Sequence, residues 1–312
     1  TRDDLRRIEE VATVGKVPAN REVLEIVPYS YRLDGQDNIK DPLGMTGTRL
    51  EISANVVSAL GPYVQNLQKS AEMAKVAPRI ITPGVLAAAR AVLSESQMEN
   101  GVAVVDLGGA TTSVAVYEDG DLQYIGVVPV GGNNITNDLA IGLKTDPDIA
   151  EKVKLRHAVA IPRDNEEGIS IKDDTESYSF SSRDIDEIVE ARLEEIFEAV
   201  QKELKKAGRA GKLPSGVVLT GGTANIKHVA DFAKDRLGLA ARIGKAGGYG
   251  GVADDIEQPE YATAIGLMLI DSEDQPTGFS QSNGFMGGAG NASHAVKEAS
   301  GMVAKFLKRF KA

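Results

Sequence analysis

The chain has no cysteine, no tryptophan and only three histidines among its 312 residues. Without thiols it forms neither disulfides nor thiolate metal sites, and three histidines leave little for a zinc enzyme. Long apolar runs are missing too, since nothing approaches the ~20 residues that cross a bilayer. No signal peptide opens the chain: "TRDDLRRIEEVATV" is charged and reads as a helix capped by Thr1. These absences lead us to expect a cytoplasmic protein. Positive charge is also short. The net charge is -10, so the body should repel nucleic acid and anionic membranes. What remains is ordinary globular composition, 42% hydrophobic and 26% charged, at a length that suits two domains or one two-lobed body.

Alternating apolar residues in "REVLEIVPYSYRLDG" and "TRLEISANVVSA" predict two strands, with "DGQDNIKDPLGMTG" a long loop between them. "GPYVQNLQKSAEMAKVA" predicts a helix with Val64, Leu67 and Ala71 on one stripe, so residues 1–76 read as a small α+β unit. "TPGVLAAARAVLSESQ" predicts one strong helix with Pro83 near its start. After the strands of 102–130, "NNITNDLAIGLKTDPDIAEKVKLRHA" predicts two helices broken at "KTDPD". The longest amphipathic helix runs through "DIDEIVEARLEEIFEAVQKELKKAG", with Ile185, Ile188, Val189, Leu193, Ile196, Val200 and Leu204 on its apolar face. "LPSGVVLTGGTANIKHVADFAKDRLG" reads as strand, glycine turn and helix, and "EYATAIGLMLIDS" closes the ordered core. Beyond Ser272 the Gly-, Ser- and Asn-rich segment 273–293 reads as a linker, and 294–312 as an amphipathic helix.

Three stretches carry chemistry. In "VVDLGGATTS" an apolar strand delivers Asp106 to a sheet edge, where ligands of α/β proteins gather. Gly108 and Gly109 let backbone N–H groups approach phosphate oxygens, and Thr111, Thr112 and Ser113 offer hydroxyls. Asp106 would hold hydrated magnesium or orient an attacking water, and is the candidate catalytic residue. The competing reading is a tight hairpin with spare glycines. "GVVLTGGTANI" repeats the arrangement, with Gly221, Gly222 and Thr223 able to lie against a base or an α-phosphate; a plain βα turn is the alternative. In "AEKVK", Glu151 and Lys154 share one helical face, as a ribose-side pair or as a solvated ion pair.

Taken in chain order, "VVDLGGATTSVAVYEDGDLQYIGVVPVGGNNITNDLA", "AEKVK", "VVLTGGTANI" and "PEYATAIGL" resemble the actin-like ATPase superfamily. More narrowly, "VLEIVPYSYRLDGQDNIKDPLGMTGTRLE" is similar to the small extra subdomain of the FtsA family of bacterial cell-division proteins. The resemblance runs from about Asp3 to Leu269. It implies an α/β, actin-like (ribonuclease H-like) lobe of mixed sheets flanked by helices, plus a small α+β subdomain. Its second phosphate motif maps to Asp106, Gly108, Gly109, Thr111 and Thr112, its ribose-side acid and base to Glu151 and Lys154, and its adenosine motif to Gly221, Gly222 and Thr223. Gly131 and Gly132 also match, as a structural turn. The expected division is 1–76 extra subdomain, 77–100 remnant of a first lobe, 101–155 with 212–272 nucleotide-binding lobe, and 156–211 inserted subdomain. No Asp-Gly-Thr phosphate hairpin precedes Thr82, so we expect a chain that lacks the N-terminal part of the first lobe.

The implied function is an adaptor at the cytoplasmic face of the membrane, at the division site. It would bind ATP and magnesium with at most slow hydrolysis, self-associate through 1–76, and take the FtsZ carboxyl-terminal peptide at 156–211. The end of the chain fits this picture. Val303, Phe306, Leu307 and Phe310 form an apolar stripe beside Lys305, Lys308 and Arg309. Residues 294–312 carry five bases against one acid, a surplus of +4 on a body of -14. That reads as a reversible foot on anionic lipid, strengthened when many copies assemble, or as a helix that docks on protein. Two other functions share the fold: a pilus-assembly scaffold, which has no use for such a tail, and a small-molecule kinase, which needs a base beyond Asp106.

Overall fold

The computed structural model of the protein describes residues 1–78, 80–172, 176–248 and 256–273. Its centre is a five-stranded mixed sheet of β4 (Val102–Leu107), β5 (Thr112–Glu118), β6 (Asp121–Val128), β9 (Val217–Thr220) and β10 (Ala241–Ile243), in the order β10-β9-β4-β5-β6. β4, β5 and β6 form an antiparallel meander, while β9 and β10 run parallel to β4.

Helices cover both faces, so β4 is apolar from Val102 through Val105 instead of alternating. The two-residue period still sorts its side chains. Val102 and Val104 face α3 (Gly84–Val92) and α9 (Ala262–Glu273), whereas Ala103, Val105 and Leu107 face the layer containing α7 (Ser182–Lys206). The predicted stripe on α7 is largely buried, from Ile185 through Leu204, with Phe197 added to it. On that same side lie α5 (Gly132–Gly142), α6 (Pro147–His157) and α8 (Val229–Leu237).

The small unit consists of β1 (Arg21–Leu33), β2 (Gln36–Ile39) and β3 (Leu50–Leu60) in the order β2-β1-β3, with α1 (Arg2–Thr13) and α2 (Gly61–Met73). Thr1 and Asp4 form a capping box on α1. Four local expectations need correction. The "long loop" contains β2, a short strand that continues a hairpin from β1 through Tyr31↔Ile39 and Leu33↔Gln36. Leu67 is 56% exposed, because α2 buries Val64 and Gly61 and leaves the next turn outside. The single helix expected over 82–97 is two, since Leu93 is extended and Ser94 starts α4 (Glu95–Asn100) with its own capping box. Within 156–211, β7 (Gly168–Lys172) and β8 (Ser177–Ser181) form an antiparallel hairpin that the polar sequence did not suggest. The expected linker after 273 and the tail residues Val303, Lys305, Phe306, Leu307, Lys308, Arg309 and Phe310 lie outside the described residues.

Candidate functional site

The two glycine turns meet at the carboxyl ends of adjacent parallel strands. Asp106 is in register with Thr220, so the turns that follow leave the sheet side by side. Thr223 Oγ1 donates to Gly108 O at 3.0 Å, joining residues 115 positions apart. Gly221 adopts φ +85°, and a Cβ there would lie 2.5 Å from both Asp106 Oδ1 and Leu107 O. Only glycine permits that approach without movement.

Gly131 and Gly132 buttress this junction from the third side. The N–H of Gly132 donates to Gly108 O at 2.9 Å and that of Asn133 to Gly109 O at 2.7 Å. A Cβ on Gly131 would lie 2.6 Å from both Gly108 O and Gly109 O, so the pair is part of the packing of the loop, as a structural turn should be. With both carbonyls occupied, the loop is held open at its tip. Among the described residues, the exposed N–H groups of Gly109 and Ala110 have no protein acceptor. Free N–H groups on a glycine loop form a concavity that favours anions.

Asp106 closes the rear. Burial pushes its carboxyl above the usual aspartate range, opposed by the hydroxyl of Thr263, 3.5 Å from Oδ2. Thr111 is exposed at the loop. Thr112 is not: it is fully buried, and its hydroxyl donates to Val130 O at 2.9 Å. The structure therefore turns that hydroxyl away from any ligand, because the first residue of β5 satisfies the carbonyl of buried Val130, two residues beyond β6.

Opposite the loop stands α6, which Asp146 and Pro147 start. Its i,i+3 pair Glu151 and Lys154 forms a 2.7 Å ion pair. Lys154 Nζ also reaches Thr136 Oγ1 at 2.8 Å and Gly132 O at 3.2 Å. Between the turns and α6 lies a cavity of about 240 Å³. Of the residues expected from sequence, Gly109, Glu151, Lys154, Gly222 and Thr223 line it, whereas Asp106, Gly108, Thr111, Thr112 and Gly221 do not. Its wall also includes Asn133, Leu155, Arg156, Ala158, Asn225, Ile226 and Lys227, which sequence reading did not single out. Asn133, Asn225, Ile226 and Lys227 had a signal, since each stands within five residues after a glycine pair already recognised. Arg156 and Lys227 add positive charge to the rim.

Comparison with known proteins places this geometry in context. The family model described as cell division protein FtsA matches residues 103–266, and that of the SHS2 domain inserted in FtsA matches residues 1–58. The chain is 32% identical to the cell division protein FtsA of Pseudomonas aeruginosa over 98% of its length, covering 73% of that protein. It is 36% identical to the cell division protein FtsA of Bacillus subtilis over 85% of its length, covering 60% of that protein. Among solved structures, the PilM-PilN type IV pilus biogenesis complex aligns with a TM-score of 0.60 at 17% identity, covering 86% of this chain and 72% of the other. MreB5 of Spiroplasma citri bound to ADP aligns with a TM-score of 0.57 at 19% identity, covering 69% and 66%. At such identities these structures establish the actin-like α/β fold.

Proposed function

The chain belongs to the FtsA family of cell-division proteins, and from that premise we propose that its cavity binds ATP with magnesium. The observation that carries this reading is the convergence of the Gly108 and Gly221 turns, bridged by Thr223 and faced by Glu151 and Lys154. The residues fit such a ligand. Free N–H groups at Gly109 and Ala110 suit phosphate, the acid–lysine pair suits a ribose edge, and Gly222 and Thr223 offer a flat backbone surface to a base. Asp106 lies behind the loop and outside the cavity lining, so it would hold magnesium through the waters that the ion keeps. Such an ion would supply charge neutralisation at the phosphates, and the Asp106 carboxylate would accept hydrogen bonds from its hydration waters. ATP then serves as a conformational and assembly ligand with at most slow hydrolysis.

On the same premise the protein is a division-site adaptor on the cytoplasmic face of the membrane. Residues 1–76 serve self-association, 156–211 receive the FtsZ carboxyl-terminal peptide, and 294–312 lie on anionic lipid. The match of residues 1–58 to the domain inserted in FtsA favours this over a pilus scaffold or a small-molecule kinase.

Gly222 provides the test of nucleotide binding. It lines the cavity, and a Cβ there would meet nothing within 4 Å, so a side chain enters open space. Gly222→Val should preserve the melting temperature and weaken fluorescent ATP binding by at least about tenfold, because the added isopropyl group occupies room that the nucleotide needs. Unchanged binding by the folded variant would refute the assignment of the cavity.

A further inference from the structure

We infer that Thr136 is a positioning residue that holds Glu151 toward a ribose, and that it thereby sets the preference of the site for ribonucleotides over deoxyribonucleotides. This rests on the nucleotide reading above. Lys154 and Glu151 are not equivalent in the structure. An ammonium group has three donors, and Lys154 spends all of them inside the protein: on Glu151 Oε2 at 2.7 Å, Thr136 Oγ1 at 2.8 Å and Gly132 O at 3.2 Å. Its side chain is 10% exposed, so although Lys154 lines the cavity it has no spare donor and little surface to offer a ligand. Glu151 is different. Its side chain is 41% exposed and, among the described residues, its polar partners all sit on one oxygen, Oε2, which leaves Oε1 to accept from a ligand hydroxyl.

Thr136 fixes which oxygen is free. It is buried on α5, and its hydroxyl accepts from Lys154 while donating to Glu151 Oε2. The single hydroxyl proton cannot also serve Gly132 O, 3.3 Å away, and the carboxylate makes the stronger, charge-assisted bond. Thr136 Oγ1, Lys154 Nζ and Glu151 Oε2 thus close a ring of three mutual contacts. Without Thr136, only an i,i+3 ion pair would hold the carboxylate, and such pairs do little to fix a rotamer. The ring also reaches the phosphate side, because Gly132 accepts from Lys154 and donates to Gly108 O at 2.9 Å.

The test compares binding of ATP, 2′-deoxy-ATP and 3′-deoxy-ATP to the full chain by calorimetry. The parent should bind at least one deoxy analogue about tenfold more weakly than ATP, as expected for a hydrogen bond to a charged acceptor. Thr136→Val should bind ATP and that analogue within about twofold of each other, while Thr136→Ser restores the parent ratio. Glu151→Gln, which keeps the shape of the side chain, should also collapse the ratio, and provides the readout if Thr136→Val does not fold. A folded Thr136→Val protein that loses affinity for every nucleotide by one common factor, keeping the ratio, overturns the inference alone. So does a parent that binds all three equally. A parent that binds no adenine nucleotide overturns the nucleotide reading and this inference with it.

Discussion

At the scale of single residues, the site depends on groups whose neighbours decide their chemistry. Thr111 and Thr112 are adjacent and chemically identical, yet one is exposed at the loop and the other is sealed against Val130 O. Asp106 shows the same dependence in its titration. Burial raises its pKa, so the folded state favours the protonated acid. Stability from this group is fully present below the ordinary aspartate value of about 3.9 and declines as pH rises through the folded value. Asp106→Asn should therefore raise the urea midpoint at pH 7, and the gain should vanish as pH falls toward 4. A parent more stable than the variant at pH 7 would show that the carboxylate is held by favourable contacts instead.

At the scale of elements, burial separates helices that look alike in sequence. The apolar stripe of α7 closes the large core with Leu193 fully buried. Leu67 occupies the same kind of stripe on α2 yet stands 56% exposed. Leu193→Ala should cost about 2–5 kcal/mol of unfolding free energy, since it removes a packed side chain and leaves a cavity. Leu67→Ala should cost within about 0.5 kcal/mol. Urea denaturation reads both. Helix periodicity says which residues share a face and not whether that face has a partner. Strands show a related limit. β4 was legible because burial on both faces demands an apolar run, whereas β2 was not, because "QDNI" is a mostly exposed edge strand held by pairing with β1. The β7–β8 hairpin was hidden for the same reason: only Ile169 and Ile171 of β7 are buried.

At the scale of the molecule, charge is divided. A tail of +4 follows a body of -14, so the proposed contact with anionic lipid rests on residues 294–312 and not on the surface at large. The chain should float with anionic liposomes at 0.1 M salt and much less at 1 M, where the screening length falls from about 10 Å to about 3 Å. The Phe306→Asp, Leu307→Asp double variant should stay behind at both, and FtsZ should float only when the intact chain is present. An intact chain that remains off the liposomes removes the adaptor reading. FtsZ left behind by a floating chain removes only its tethering.

Read alone, the chain settles local matters: where most strands and helices run, which turns need glycine, that α6 carries an acid and a lysine one turn apart, and the sign of the tail. These follow from interactions between residues a few positions apart, where periodicity and backbone sterics act directly. Only the tertiary structure decided that Thr223 reaches Gly108 across 115 positions, that Lys154 is saturated by Thr136 and Gly132, and that the hydroxyl of Thr112 faces inward. Each of those outcomes depends on which element packs beside which, and the hydrophobic burial that settles the packing is non-directional, so it leaves no mark at any single position.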